Sequence, residues 1–104
     1  MFNFLESLFG SAAALDYKSL LAAGALIVDV RTPEEFKSGH VQGSINIPLD
    51  QITSKLSMLK NKNVPIIAVC RSGARSGSAV GLLKNNGIEA YNAGSWNGLQ
   101  AQIA

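Results

Sequence analysis

Pro65-Ile66-Ile67-Ala68-Val69, running into Cys70-Arg71-Ser72-Gly73-Ala74-Arg75-Ser76, is the stretch that decides how the rest of the chain is arranged. Five residues, mostly apolar and partly β-branched, read as a fully buried strand of the kind parallel sheets use. The only cysteine falls where that strand ends, and a helical pattern begins a few residues later. A thiol at the carboxyl end of a strand, facing a helix start, lies where open α/β sheets bind ligands. Backbone N–H groups of the loop and of the helix N-terminus would point at whatever the sulfur carries. With Arg71 and Arg75 adding positive charge, such surroundings lower a thiol's pKa and make it a nucleophile near neutral pH. A free cysteine is more commonly a small buried hydrophobe. An inert cysteine, however, has no need of two flanking cations whose desolvation is costly.

Composition narrows the classes. The 104 residues make one domain, and 47% hydrophobic content supports a packed core without disulfides. A net charge of +2 with no Lys/Arg run argues against nucleic acid as a partner. One cysteine cannot close an internal disulfide, which agrees with a reducing compartment. No stretch approaches the roughly 20 apolar residues a membrane span needs. One Cys and one His cannot supply a usual metal-ligand set, so no metal and no cofactor are expected.

Outward from the Cys loop, strands alternate with helical segments. Residues 1–14 carry Phe2, Leu5 and Phe9 at helical spacing and are expected to form an N-terminal amphipathic arm or short helix. Ser11-Ala12-Ala13-Ala14 resembles a signal cleavage site, but no Lys or Arg precedes the apolar part. A cytoplasmic location is therefore expected, with a periplasmic one as the alternative if residues 1–14 belong to a signal. Residues 15–104 form the domain. Asp16 is the expected N-cap of a helix stopped by Gly24, and Ala25-Leu26-Ile27-Val28-Asp29-Val30 is a second buried strand. Thr32-Pro33-Glu34-Glu35 combines an N-cap, a proline at the first helical position and a capping box. His40 is expected to fix its loop through backbone rather than to serve Cys70 as a base. Asp50 is placed as the cap of a helix carrying Ile52, Leu56 and Leu59. Gly73, Gly77 and Gly81 recur on one helix face, which suggests close approach of backbone to the sheet. Ile88-Glu89-Ala90-Tyr91-Asn92 is a last strand, and Trp96 opens a terminal helix as a core residue. This alternation argues for a parallel sheet covered on both faces.

Four stretches in order resemble the single-domain rhodanese (thiosulfate sulfurtransferase-like) family. They are Val28 to Phe36 (VDVRTPEEF), Gly39 to Pro48 (GHVQGSINIP), the Cys70 loop, and Tyr91 to Trp96 (YNAGSW). The resemblance implies an α/β, three-layer domain whose central parallel sheet has five strands, and a sulfurtransferase working through a persulfide on Cys70. It implies that Asp29 and Arg31 support the fold. Ser95 stands where the family usually has glycine, and Gly98 where larger or acidic residues are common. Arg71, Ser72, Gly73, Ala74, Arg75 and Ser76 are the expected substrate-binding residues, with Arg75 orienting a dianionic donor. The expected partners are a small sulfur donor, thiosulfate or a persulfide, and a thiol or cyanide acceptor, with a protein donor or acceptor as a variant; a monomer is expected. Two alternatives stay open. One is a carrier or partner-binding module with little activity of its own. The other is a Cys-based phosphatase or arsenate reductase, whose pattern is Cys-x5-Arg, whereas Cys70 to Arg75 is Cys-x4-Arg.

Overall fold

A computed structural model of the chain describes residues 15–104. The arm expected over residues 1–14 lies outside them. In chain order the elements are helix α1 (Tyr17–Ala22), strand β1 (Leu26–Asp29), helix α2 (Pro33–Ser38), strand β2 (Ile45–Asn46), two 3-10 turns (Leu49–Gln51 and Thr53–Lys55), helix α3 (Leu56–Lys62), strand β3 (Ile66–Cys70), helix α4 (Ala74–Asn85), strand β4 (Ala90–Ser95) and helix α5 (Trp96–Ile103). The strands lie in the order β2-β1-β3-β4 and every pair is parallel. The fold is thus α/β with helices around a central parallel sheet. Among the described residues that sheet has four strands, not the five the family resemblance implied.

Period-two alternation along β1 and β3 divides the core between the two faces. Val28, Ile66, Ala68 and Cys70 pack with Ile52, Leu59, Ala79, Val80 and Leu83, beneath α3 and α4. Ile27, Ile67 and Val69 point the other way and pack with Leu99, Leu20, Leu21 and Trp96, beneath α1 and α5. All five residues of β3 are buried, as a central parallel strand requires. Cys70 therefore ends on the same face as α4, the helix whose N-terminus it meets.

Local signals place most of the connections. Asp16 accepts from the Ser19 N–H at 3.3 Å and from its hydroxyl at 2.8 Å, capping α1. Thr32 and Glu35 complete the capping box of α2, with Pro33 at its first position. Asp50 does not cap a helix. The segment begins instead with two 3-10 turns, the first with Pro48 at its N-cap, and neither has a side-chain cap. Burial of Ile52 and Leu59, both 0% exposed, holds this segment without a cap. The last strand runs three residues further than its apolar pattern, to Ser95, because a bulge between β3 and β4 takes up Ala93. Gly94, at φ 80°, turns the chain past that bulge.

Candidate active site

Cys70 closes β3, and residues 71–73 fold over its sulfur before α4 begins. Gly73 makes this turn at φ 109°, the left-handed region that glycine enters without steric cost. Its N–H donates to Cys70 Sγ at 2.9 Å. Ser76, one turn into α4 and fully buried, brings its hydroxyl to 3.3 Å from the sulfur. The thiol itself is 1% exposed, so the sulfur lies beneath its loop.

Burial pushes the Cys70 thiol up. Against it work the Ser76 hydroxyl and the N–H groups of Ser76, Gly73 and Ser72, which favour the thiolate, and together they hold the thiol at about 7. These donors are the loop groups that the sequence placed around the sulfur. Arg71, Ser72 and Ala74 are exposed along the loop's outer side.

The two arginines of the expected pair are used differently. Arg75 makes a forked ion pair with Glu35 on α2, at 2.7 Å to Oε1 and 3.0 Å to Oε2. Its charge is thus compensated by a carboxylate 40 residues away, a partner the sequence reading did not supply. Glu35 does two jobs: Oε1 also accepts from the Thr32 N–H at 3.0 Å. The Arg75 guanidinium and the Thr32 backbone hold the Glu35 carboxyl at about 2. Beside Arg75 a groove of about 290 Å³ is lined by Val30, Thr32, Pro48, Leu49 and Asp50.

Asn92, on β4, was not singled out from sequence, yet it ties the loop to the sheet. Its Nδ2 donates to the Gly73 carbonyl at 3.0 Å, and its Oδ1 accepts from Ser76 Oγ at 2.7 Å and from the Gly94 N–H at 3.0 Å. Gly77 leaves room for it, since a Cβ there would sit 3.2 Å from Nδ2.

His40 stands apart from the sulfur chemistry. Its Nδ1 donates to the Phe36 carbonyl at 2.8 Å and its ring stacks on Phe36 at 3.7 Å. Asp29 and Arg31 form a buried pair under the site, forked at 2.7–3.0 Å. Arg31 also donates to the carbonyls of Glu35 and Gly39 and lies 4.8 Å from the Trp96 ring centroid. Among the described residues no three His, Cys, Asp or Glu side chains cluster as a metal site requires.

The rhodanese-like domain family matches residues 13–102. The chain belongs to that family. It is 35% identical to thiosulfate sulfurtransferase PspE of Escherichia coli (strain K12) over 77 residues, covering 73% of this chain and 74% of the relative. It is 39% identical over 69 residues to the protein YqhL of Bacillus subtilis (strain 168), of which it spans 54%. Among solved structures, a rhodanese-like domain protein from Staphylococcus aureus superimposes with a TM-score of 0.69 at 39% identity, covering 81% of this chain and 82% of that one. Membership of the rhodanese family accounts for the α/β sheet and for sulfur transfer as the chemistry of such relatives. It leaves the substrates of this chain to be inferred from its own loop.

Proposed function

We propose that this protein is a thiosulfate sulfurtransferase-like enzyme that moves sulfane sulfur through a persulfide on Cys70. The observation that carries this reading is the sulfur at the end of β3 with the Gly73 N–H at 2.9 Å and the Ser76 hydroxyl at 3.3 Å. Donors fixed around a sulfur stabilise negative charge there both before and after it gains a second sulfur, as an oxyanion hole does for oxygen. In the first half-reaction the Cys70 thiolate attacks the outer sulfur of thiosulfate. A Cys70–sulfur bond forms, the sulfur–sulfur bond of the donor breaks, and sulfite leaves with the electron pair. In the second, an acceptor thiolate or cyanide attacks the terminal sulfur and leaves as a persulfide or thiocyanate, returning Cys70 to the thiolate. This is covalent catalysis with ping-pong kinetics. Arg71, Ser72, Gly73, Ala74, Arg75 and Ser76 form the donor site.

The burial of Cys70 supports a second reading, in which a protein donor opens the loop and the domain serves as a sulfur carrier. One relative, YrkF of Bacillus subtilis (strain 168), is named as a putative sulfur carrier protein, and this chain spans 34% of it at 36% identity. Intact-protein mass spectrometry separates the readings. Incubation with thiosulfate is expected to add the mass of one sulfur atom, cyanide to remove it as thiocyanate, and Cys70→Ser to abolish both steps. Loading by a persulfide-bearing protein but not by thiosulfate would select the carrier; a serine variant with wild-type thiocyanate production would overturn both.

A further inference from the structure

We propose that Asn92 is a positioning residue: it holds the Ser76 hydroxyl proton away from Cys70 while the sulfur is a thiol, and yields it when the sulfur becomes a thiolate. This deepens, and rests on, the reading of Cys70 as the reacting group.

The hydrogen-bond directions follow from which atoms can donate. The Asn92 amide is orientated by two backbone groups of opposite kind. The Gly73 carbonyl can only accept, so it takes Nδ2, and the Gly94 N–H can only donate, so it takes Oδ1. Oδ1 is therefore the atom 2.7 Å from Ser76 Oγ, and it can only accept. A serine hydroxyl has one proton. While that proton lies on the bond to Asn92, Ser76 offers Cys70 only a lone pair, across 3.3 Å. A thiol can answer by donating its own proton, but a thiolate cannot. Ionisation of Cys70 thus turns the Ser76 hydroxyl from Asn92 to the sulfur, and Oδ1 keeps the Gly94 N–H alone. Ser76 is fully buried, and Asn92 and Cys70 are the two partners its hydroxyl meets.

Asn92 consequently competes with Cys70 for one proton. The charged groups on the elements around the sulfur are already paired: Arg75 on α4 with Glu35 on α2, and Asp29 with Arg31 after β1. Arg71 lies on the exposed side of the loop, and β4 has no charged residue between Ala90 and Ser95. The hydroxyl is the switchable group beside the sulfur, and its direction is set from β4.

The test is the pH midpoint of iodoacetamide alkylation of Cys70, which requires no sulfur donor. Ser76→Ala removes the hydroxyl and should raise the midpoint by about half a unit to one and a half units, the worth of a hydrogen bond to a charged group less the Asn92 bond given up for it. Asn92→Ala removes the competitor and should lower it by about half a unit to one unit. Asn92→Asp keeps an acceptor and adds a negative charge near the thiolate, so it should raise the midpoint. In a Ser76→Ala background, Asn92→Ala should change nothing. A residue that merely braced the loop through Gly73 would fail to lower the midpoint in Asn92→Ala, because the Gly73 N–H on the sulfur would loosen, and would still act without Ser76. Either result overturns the proposal. Asn92 is exposed, so the alanine variant is expected to fold, and the Ser76→Ala background tests the same bond independently. Failure of every donor to load Cys70 would overturn the sulfur-transfer reading and leave these midpoints standing.

Discussion

At Cys70 two large effects oppose each other, and hydrogen bonding wins. Burial alone would push the thiol above its ordinary range, yet the surrounding donors bring it to about 7. Alkylation by iodoacetamide should therefore rise about tenfold per pH unit below about 7 and level off above it, because the thiolate is the reacting form. A lowered folded-state pKa stabilises the fold above the unfolded thiol's pKa, and that contribution is lost as pH falls through about 7. Between about pH 9 and 7 the wild type should thus lose stability relative to Cys70→Ala, measured by urea denaturation across that range. For Arg75 the structure changes what must be asked. A guanidinium already forked onto Glu35 must exchange that carboxylate for a dianionic donor before it can orient one. If it does so, Arg75→Ala should reduce kcat/KM for thiosulfate by about ten- to a hundredfold, with less effect on a neutral persulfide donor. Glu35→Gln should lower KM for thiosulfate by releasing the arginine. Equal losses with both donors in Arg75→Ala would instead assign the pair to holding the loop against α2.

The elements were legible where their signals are local. The capping box of Thr32 and Glu35, the Asp16 cap and the strand into Cys70 each lie within a few residues, and each is present. What depends on packing was not legible. Ser76 and Asn92 are 16 residues apart, and Glu35 and Arg75 are 40 apart; no local pattern marks either contact. The glycines of α4 show the same division, for one spacing hides three causes. Gly73 supplies a left-handed turn and Gly77 makes room for Asn92, while a Cβ at Gly81 would meet nothing within 4 Å. Close approach thus explains the middle glycine, and Gly81 is simply tolerated on an exposed face. At the start of α5, two departures from the family pattern prove to belong together. Ser95 Oγ accepts from the Gly98 N–H at 3.1 Å, and a Cβ on residue 98 would stand 2.7 Å from that oxygen. Ser95→Ala should cost about 1 kcal/mol, the usual worth of an N-cap. Gly98→Ala should be close to neutral, because it gains about 0.8–1 kcal/mol of helix propensity while turning the cap aside. In the Gly98→Ala background, Ser95→Ala should then cost little. Urea denaturation of the four variants measures this coupling, and additive losses would mean that the two residues act separately.

Across the molecule, two ion pairs join α2 to the sheet and its loop, and their surroundings give them unequal weight. Arg75 and Glu35 are both about a third exposed, so water and salt screen them and their attraction is weak support for the fold. Because the Glu35 carboxyl is held at about 2, whatever it contributes is present above the ordinary carboxylate range and disappears as pH falls toward 2. Asp29 and Arg31 are the opposite case, with side chains 0% and 4% exposed. Arg31 reaches from the end of β1 to the Glu35 and Gly39 carbonyls at the far end of α2 and to the Trp96 ring on α5, so it links the strand to both neighbours. A buried pair adds little over a well-packed apolar pair, because desolvation offsets most of the attraction. Removing one partner is another matter, since it strands a charge. Arg31→Met should therefore cost about 3–5 kcal/mol, leaving Asp29 with the Arg31 backbone N–H at 3.0 Å as its remaining partner. Adding Asp29→Asn should recover part of that loss by removing the stranded charge. Denaturation followed by the fluorescence of Trp96, the only tryptophan, reads the fold and this junction together. A double variant no more stable than Arg31→Met would show that Arg31 acts through its carbonyl and ring contacts, with Asp29 a bystander.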